Sequence, residues 1–142
     1  MVPVLLLALL GVPPGGPRQE APRVCAVARP GALDVAPDPE LLRRIFLLRQ
    51  RSWPDGTRAH PVNLPASSPL RERFSRAVLG ESVQALAAYW NDRYFHGTRP
   101  PPTMASEEAV LLFVERTSGA VGYVAEARTR GLPADVRVLG CF

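Results

Sequence analysis

The chain has 142 residues, 46% hydrophobic and 21% charged, which fits one globular domain and excludes a wholly disordered chain. Sixteen prolines break any continuous heptad array, and the one long apolar run, near the start, is too short for a membrane span. The net charge is +4, and all 17 basic residues are Arg, spread from Arg18 to Arg137 rather than clustered; no aromatic-basic interleaving suggests a base-stacking platform, so no nucleic-acid partner is expected.

Val2 to Val12 reads VPVLLLALLGV and is followed by the Pro/Gly-rich stretch PPGGPRQEAPR. An apolar core before a polar linker reads as a secretory signal over residues 1–21, with Ala21 as a cleavage edge. No basic residue precedes the run. The mature domain is then 22–142, placed outside the cytoplasm. Cys25 follows Arg23 and Val24, not the small residues of a lipid-attachment site. In an exported chain Cys25 and Cys141 are able to close a disulfide, but sequence does not place the two thiols near each other.

Val24 to Ala28 (VCAVA) reads as a buried strand before Pro30-Gly31. Asp38-Pro39-Glu40 starts a helix: Asp38 caps, Pro39 suits the first helical position and Glu40 complements the dipole. Its buried face is Leu41, Leu42, Ile45 and Phe46. Trp53 leads into the turn Pro54-Asp55-Gly56, and Ala59 to Leu64 is a second short strand.

Ser68 and Pro69 open the next helix, with Leu70, Phe74, Ala77 and Val78 as its inner stripe and Gly80 as its stop. Ser82 caps a helix whose apolar positions Val83, Leu86, Ala87, Trp90 and Tyr94 keep a 3.6 period. Gly97 and the triple Pro100-Pro101-Pro102 end it. Ser106, with Glu107 and Glu108, starts a further helix that packs through Val110, Leu111 and Val114. Gly119 to Ala125 and Val136 to Leu139 are the last strands. The predicted order is strand, helix, strand, three helices, strand, strand. That order predicts the α/β class, one lobe with a small central sheet flanked by helices.

Leu42 to Gly56 (LRRIFLLRQRSWPDG) resembles the L-x-x-I-F-L-G-K-x-x-x-W-x-D-G segment of phosphate-type periplasmic substrate-binding proteins. Pro61-Val62-Asn63 follows, then Ser67-Ser68-Pro69-Leu70-Arg71 and Phe74, similar to the family's G-S-G-T-R-x-x-F stretch. Val78-Leu79-Gly80 and Trp90 continue the pattern, and Gly119 to Val124 (GAVGYV) resembles its G-A-I-G-Y-V strand. The ordered set, from about Leu42 to Val124, is most similar to short, single-lobe PstS-like members of the type II periplasmic-binding-protein superfamily. The resemblance implies an extracytoplasmic, non-enzymatic binding protein of an ABC transporter, with phosphate or a similar oxyanion as ligand, an ABC permease or another envelope protein as partner, and no cofactor.

It also places the anion at the turn entering the helix after Ser68. A capped helix start offers unpaired amides and the positive end of a dipole. Ser67 and Ser68 add hydroxyl donors, and Arg71 is the charge partner one turn inside. The chain departs from the pattern at Pro69, which has no N–H, at Leu70, which has no hydroxyl, at Leu64, where an Arg often stands, and at Leu48, where Gly is usual. These departures leave a second expectation open: an envelope interaction or regulatory module that keeps the fold without the anion. His60 and His96 stand apart from each other, and neither a zinc spacing nor a Ser-His-Asp order is present.

Overall fold

The computed structural model describes residues 11, 14–17, 22–29 and 38–142. The leader expected over 1–21 lies outside the described residues, apart from Gly11 and 14–17. No described helix is long and apolar enough to cross a membrane.

Two strands without a charged residue form the centre. Strand β1 (Val24–Ala28) and strand β3 (Ala120–Ala125) pair antiparallel, with Val24 opposite Ala125 and Ala28 opposite Val121. All five residues of β1 are fully buried, as is the run from Ala120 to Val124. Such continuous burial needs helices over one face and loops or helices over the other. Strand β2 (His60–Pro61) adds parallel to β3 on one side, and strand β4 (Arg137–Cys141) adds antiparallel to β1 on the other. The sheet order is β2-β3-β1-β4. A bulge between Ala26 and Val27 shifts the β1–β4 register, and Cys25 faces Cys141, to which it is disulfide-bonded.

Helix α1 spans Pro39–Phe46, α2 Pro69–Phe74, α3 Val83–Phe95 and α4 Glu107–Arg116. Each starts at an oxygen-bearing cap. Asp38, Ser68, Ser82 and Ser106 accept from the amides of Leu41, Arg71, Ala85 and Ala109, at 2.7, 3.4, 3.0 and 3.1 Å. This is the interaction for which these side chains are favoured at helix starts. Helix α2 runs directly into a π-helical turn, Ser75–Leu79, that ends at Gly80, and a 3-10 turn, Glu126–Gly131, follows β3. Neither turn is foreshadowed by the apolar periodicity.

The core lies where α1, α2 and α4 meet the sheet. Helix α1 inserts Leu41, Leu42, Ile45 and Phe46, all buried. Helix α4 approaches β3 so closely that a Cβ at Gly122 would stand 2.5 Å from Val110 Cγ1. Phe74 stacks on Tyr123 with ring centroids 4.1 Å apart, and Phe46 tilts against Phe74 at 4.7 Å. Three expected core positions lie outside instead: Ala77, Ala87 and Tyr94 are exposed. Of α3 only Leu86 is buried, while Trp90 is half-buried and Phe95 is exposed. A four-stranded sheet is too narrow to cover all four helices, so α3 spans the rim and its apolar period is only partly used.

Between α1 and β2 the chain makes a small hairpin. Ser52 bridges Arg58 antiparallel, Thr57 N–H donates to Asp55 Oδ1 at 2.8 Å, and buried Trp53 donates from Nε1 to the Gly119 carbonyl at 2.8 Å. This bond ties the hairpin to the start of β3. The segment 99–103 runs along the far side of β2, where Asn63 bridges Thr103 in parallel sense.

Candidate functional site

The turn entering α2 hangs from the end of β2. Tyr123 is buried and its hydroxyl carries two bonds: it accepts from Leu64 N–H at 3.1 Å and donates to Asn63 Oδ1 at 3.1 Å. A tyrosine inside a core needs such partners. Burial pushes its phenol up to about 12, while the Leu64 N–H and the nearby positive Arg71 pull it back down. These contacts fix Asn63 and Leu64, the two residues that lead into the turn.

Asn63 and Tyr123 stand in the segments that carry the resemblance, but the residue pattern alone assigns neither a role. The available signal was the polarity itself: one amide and one phenol in otherwise apolar strands must find each other or stay unsatisfied.

Arg71 is half-buried on the first turn of α2, and its guanidinium donates to the Leu64 carbonyl at 2.9 Å. It therefore closes the turn back on the strand end. Ser68 caps with its hydroxyl, and its own amide donates to Pro65 O at 2.9 Å. Ser67 is exposed. The turn thus brings Ser67, Ser68 and Arg71 together within one loop. Of its amides, those of Ser68 and Arg71 are occupied and Pro69 has none, whereas those of Ser67 and Leu70 have no protein partner among the described residues. Leu70 is half-buried and packs against the core.

Behind Arg71, Asn63, Phe74 and Ser75 border a hollow of about 10 Å³, room for no more than a single water. An oxyanion at this turn would therefore sit on the outer, solvent side, against Ser67 and the free edge of the Arg71 guanidinium. Water competes for every donor there, so the arrangement suits weak and readily reversible capture.

The shift at Tyr123 has a consequence for stability against pH. The unfolded phenol ionises near 10, the folded one at about 12. The neutral form is thus favoured in the fold. This contribution is complete below pH 10 and is lost as pH rises through 12. Denaturant melts between pH 9 and 12.5 should show the wild type losing about 2–3 kcal/mol more than Tyr123→Phe. Parallel curves for the two would contradict it.

No protein-family model matches the chain. No curated protein matches it either. Solved structures do. An ABC-type phosphate transport receptor from Vibrio cholerae superposes with a TM-score of 0.59 at 17% identity, over 82% of this chain and 46% of that one. A possible phosphate binding protein from Planctomyces limnophilus DSM 3776 superposes with a TM-score of 0.57 at 14% identity, over 82% of this chain and 41% of that one. The chain spans less than half the length of either, and at these identities the likeness is one of fold: a mixed α/β lobe that superposes on part of each.

Proposed function

We propose that the chain is an extracytoplasmic, non-enzymatic solute-binding lobe that takes phosphate or a similar oxyanion at the turn entering α2 and serves an ABC permease. Ser67 and Ser68 supply hydroxyl contacts, the Ser67 and Leu70 amides supply N–H donors, and Arg71 supplies the charge. The observation that carries the reading is that a fixed arginine, an exposed serine and two unengaged amides share one capped helix start, in a lobe whose solved likenesses include a phosphate transport receptor. Placement outside the cytoplasm is supported by the Cys25–Cys141 bridge, since structural disulfides persist in oxidising compartments.

Calorimetry with phosphate on the purified domain tests it. Millimolar binding is expected, weakened about tenfold in Arg71→Gln by loss of one charge-assisted contact. Ser68→Ala should lose about 1 kcal/mol of stability through its cap whether or not an anion binds, so stability and binding are read separately. No heat at millimolar phosphate for the wild type removes the proposal.

A second reading is favoured by the occupied Ser68 amide, the Arg71–Leu64 bond and the missing N–H at Pro69. In it the turn is purely structural and the lobe is an envelope interaction module. It requires a melting temperature indifferent to phosphate and a partner recovered by cross-linking in the envelope.

A further inference from the structure

On the β2 side of the lobe, three elements line an open hollow of about 170 Å³. The Trp53 hairpin contributes Arg51 and Arg58, β2 contributes His60, and the 99–103 segment contributes Arg99 with Pro100, Pro101 and Pro102. Leu48 and Phe113 complete the wall, and no carboxylate lines it. Nine arginines elsewhere find partners: Arg23, Arg43, Arg44, Arg76 and Arg128 pair with Glu side chains, Arg71 and Arg73 donate to carbonyls, and Arg49 and Arg93 lie over Tyr89, whereas Arg116, Arg130 and Arg137 stand singly with no such contact among the described residues. Arg51, Arg58 and Arg99 have no side-chain hydrogen bond or ion pair among the described residues.

The walls are preorganised. Trp53 anchors the hairpin to Gly119 O, and His60 N–H donates to the same carbonyl at 3.0 Å. Three consecutive prolines stiffen the chain after Arg99, and Asn63 N–H holds Pro102 O at 2.8 Å. A hollow of this volume is about 7 Å across, within one Debye length at physiological salt. Like charges gathered there repel unless an anion enters between them. Guanidinium forks match phosphoryl and carboxylate oxygens bidentately. The volume equals that of about six waters in the liquid, enough for two linked phosphoryl groups.

We propose that this hollow is an anion site for a compact polyanion of the diphosphate kind, held by Arg51, Arg58 and Arg99 with His60 at its edge. It is separate from the turn entering α2: none of Ser67, Ser68, Leu70 and Arg71 lines it. The proposal therefore stands or falls independently of the function proposed above.

The test is calorimetric titration with inorganic diphosphate at low ionic strength. Wild type should bind it at least about tenfold more tightly than monophosphate, since a second phosphoryl group engages a second fork. Arg58→Gln and Arg99→Gln should each weaken binding about tenfold, while Arg130→Gln, outside the hollow, leaves it unchanged; Arg71→Gln is compared alongside to separate any heat from the α2 turn. Both hollow positions are exposed, and unchanged melting temperatures would verify that these variants fold. Absence of diphosphate binding overturns the proposal. So does an equal loss in Arg130→Gln, which would mean diffuse charge attraction, or a loss confined to Arg71→Gln, which would assign the heat to the α2 turn.

Discussion

Reducing the Cys25–Cys141 bridge, or replacing both residues by Ala, is expected to cost about 4 kcal/mol of folding free energy. The bridge joins residues 116 positions apart, so it encloses almost all of the described fold. In the chain-entropy account a closed loop of about 100 residues restricts the unfolded ensemble by nearly 5 kcal/mol, and native bridges typically deliver 2–5. The folded side loses little: β1 and β4 stay paired through Ala26, Val27 and Ala28, and Val24 and Phe142 exchange backbone hydrogen bonds at 3.1 and 2.8 Å. Guanidinium melts with and without reductant read both parts. The midpoint should fall and the m-value should rise, because the released chain exposes more surface on unfolding. A fallen midpoint with unchanged m would move the effect to the native state, and an unchanged midpoint would contradict the prediction.

Gly119→Ala should be nearly as damaging, at about 3–5 kcal/mol. Gly119 has φ of +77°, and a Cβ there would stand 2.0 Å from the Arg58 carbonyl oxygen and 3.1 Å from Thr57 Cγ2. The clash is with backbone, which has no rotamer by which to withdraw. The left-handed conformation costs an alanine about 1 kcal/mol. Displacing the hairpin adds overpacking of about 1–3 kcal/mol. The carbonyl of the same residue receives both Trp53 Nε1 and His60 N–H, so the shift also loosens two hydrogen bonds, one from a buried indole. Gly131→Ala is the matched control: nothing lies within 4 Å of its Cβ position, and its effect should stay within about 0.5 kcal/mol. Denaturant melts of the two variants, with Trp fluorescence as probe, decide it. A Gly119→Ala loss below about 1 kcal/mol would mean that the hairpin is not seated as described.

What could be read beforehand follows the range of the forces. Helix starts are local, and Asp38, Ser68, Ser82 and Ser106 each cap the helix that follows. Fully apolar VCAVA and AVGYVA suit strands covered on both faces of a sheet, and their shortness argues against helices. Strand order is non-local: no pattern in the sequence says that β1 sits between β3 and β4, and that placement is what brings Cys25 opposite Cys141.

The expected second strand, Ala59 to Leu64, shortens to His60–Pro61 with one further bridge at Asn63. The residues beyond it are committed to Tyr123 and Arg71. At the turn entering α2 the residue types were legible, whereas the occupation of particular amides was not, because Pro65 O and Leu64 O become partners only once the loop has closed. The arginine-lined hollow was invisible for the same reason: Arg51, Arg58 and Arg99 come from segments that only folding brings side by side.

The segment running beside β2 has a consequence for how the molecule meets copies of itself. His60 and Val62 spend their N–H groups inward on β3, Pro61 has none to offer, and Asn63 gives its own to Pro102. The border of the sheet there has no donor left to template a foreign strand. The opposite border, β4, ends in the bridged Cys141 and carries exposed Arg137. One flank has its donors satisfied and the other begins with a charge, two features that disfavour edge-to-edge pairing.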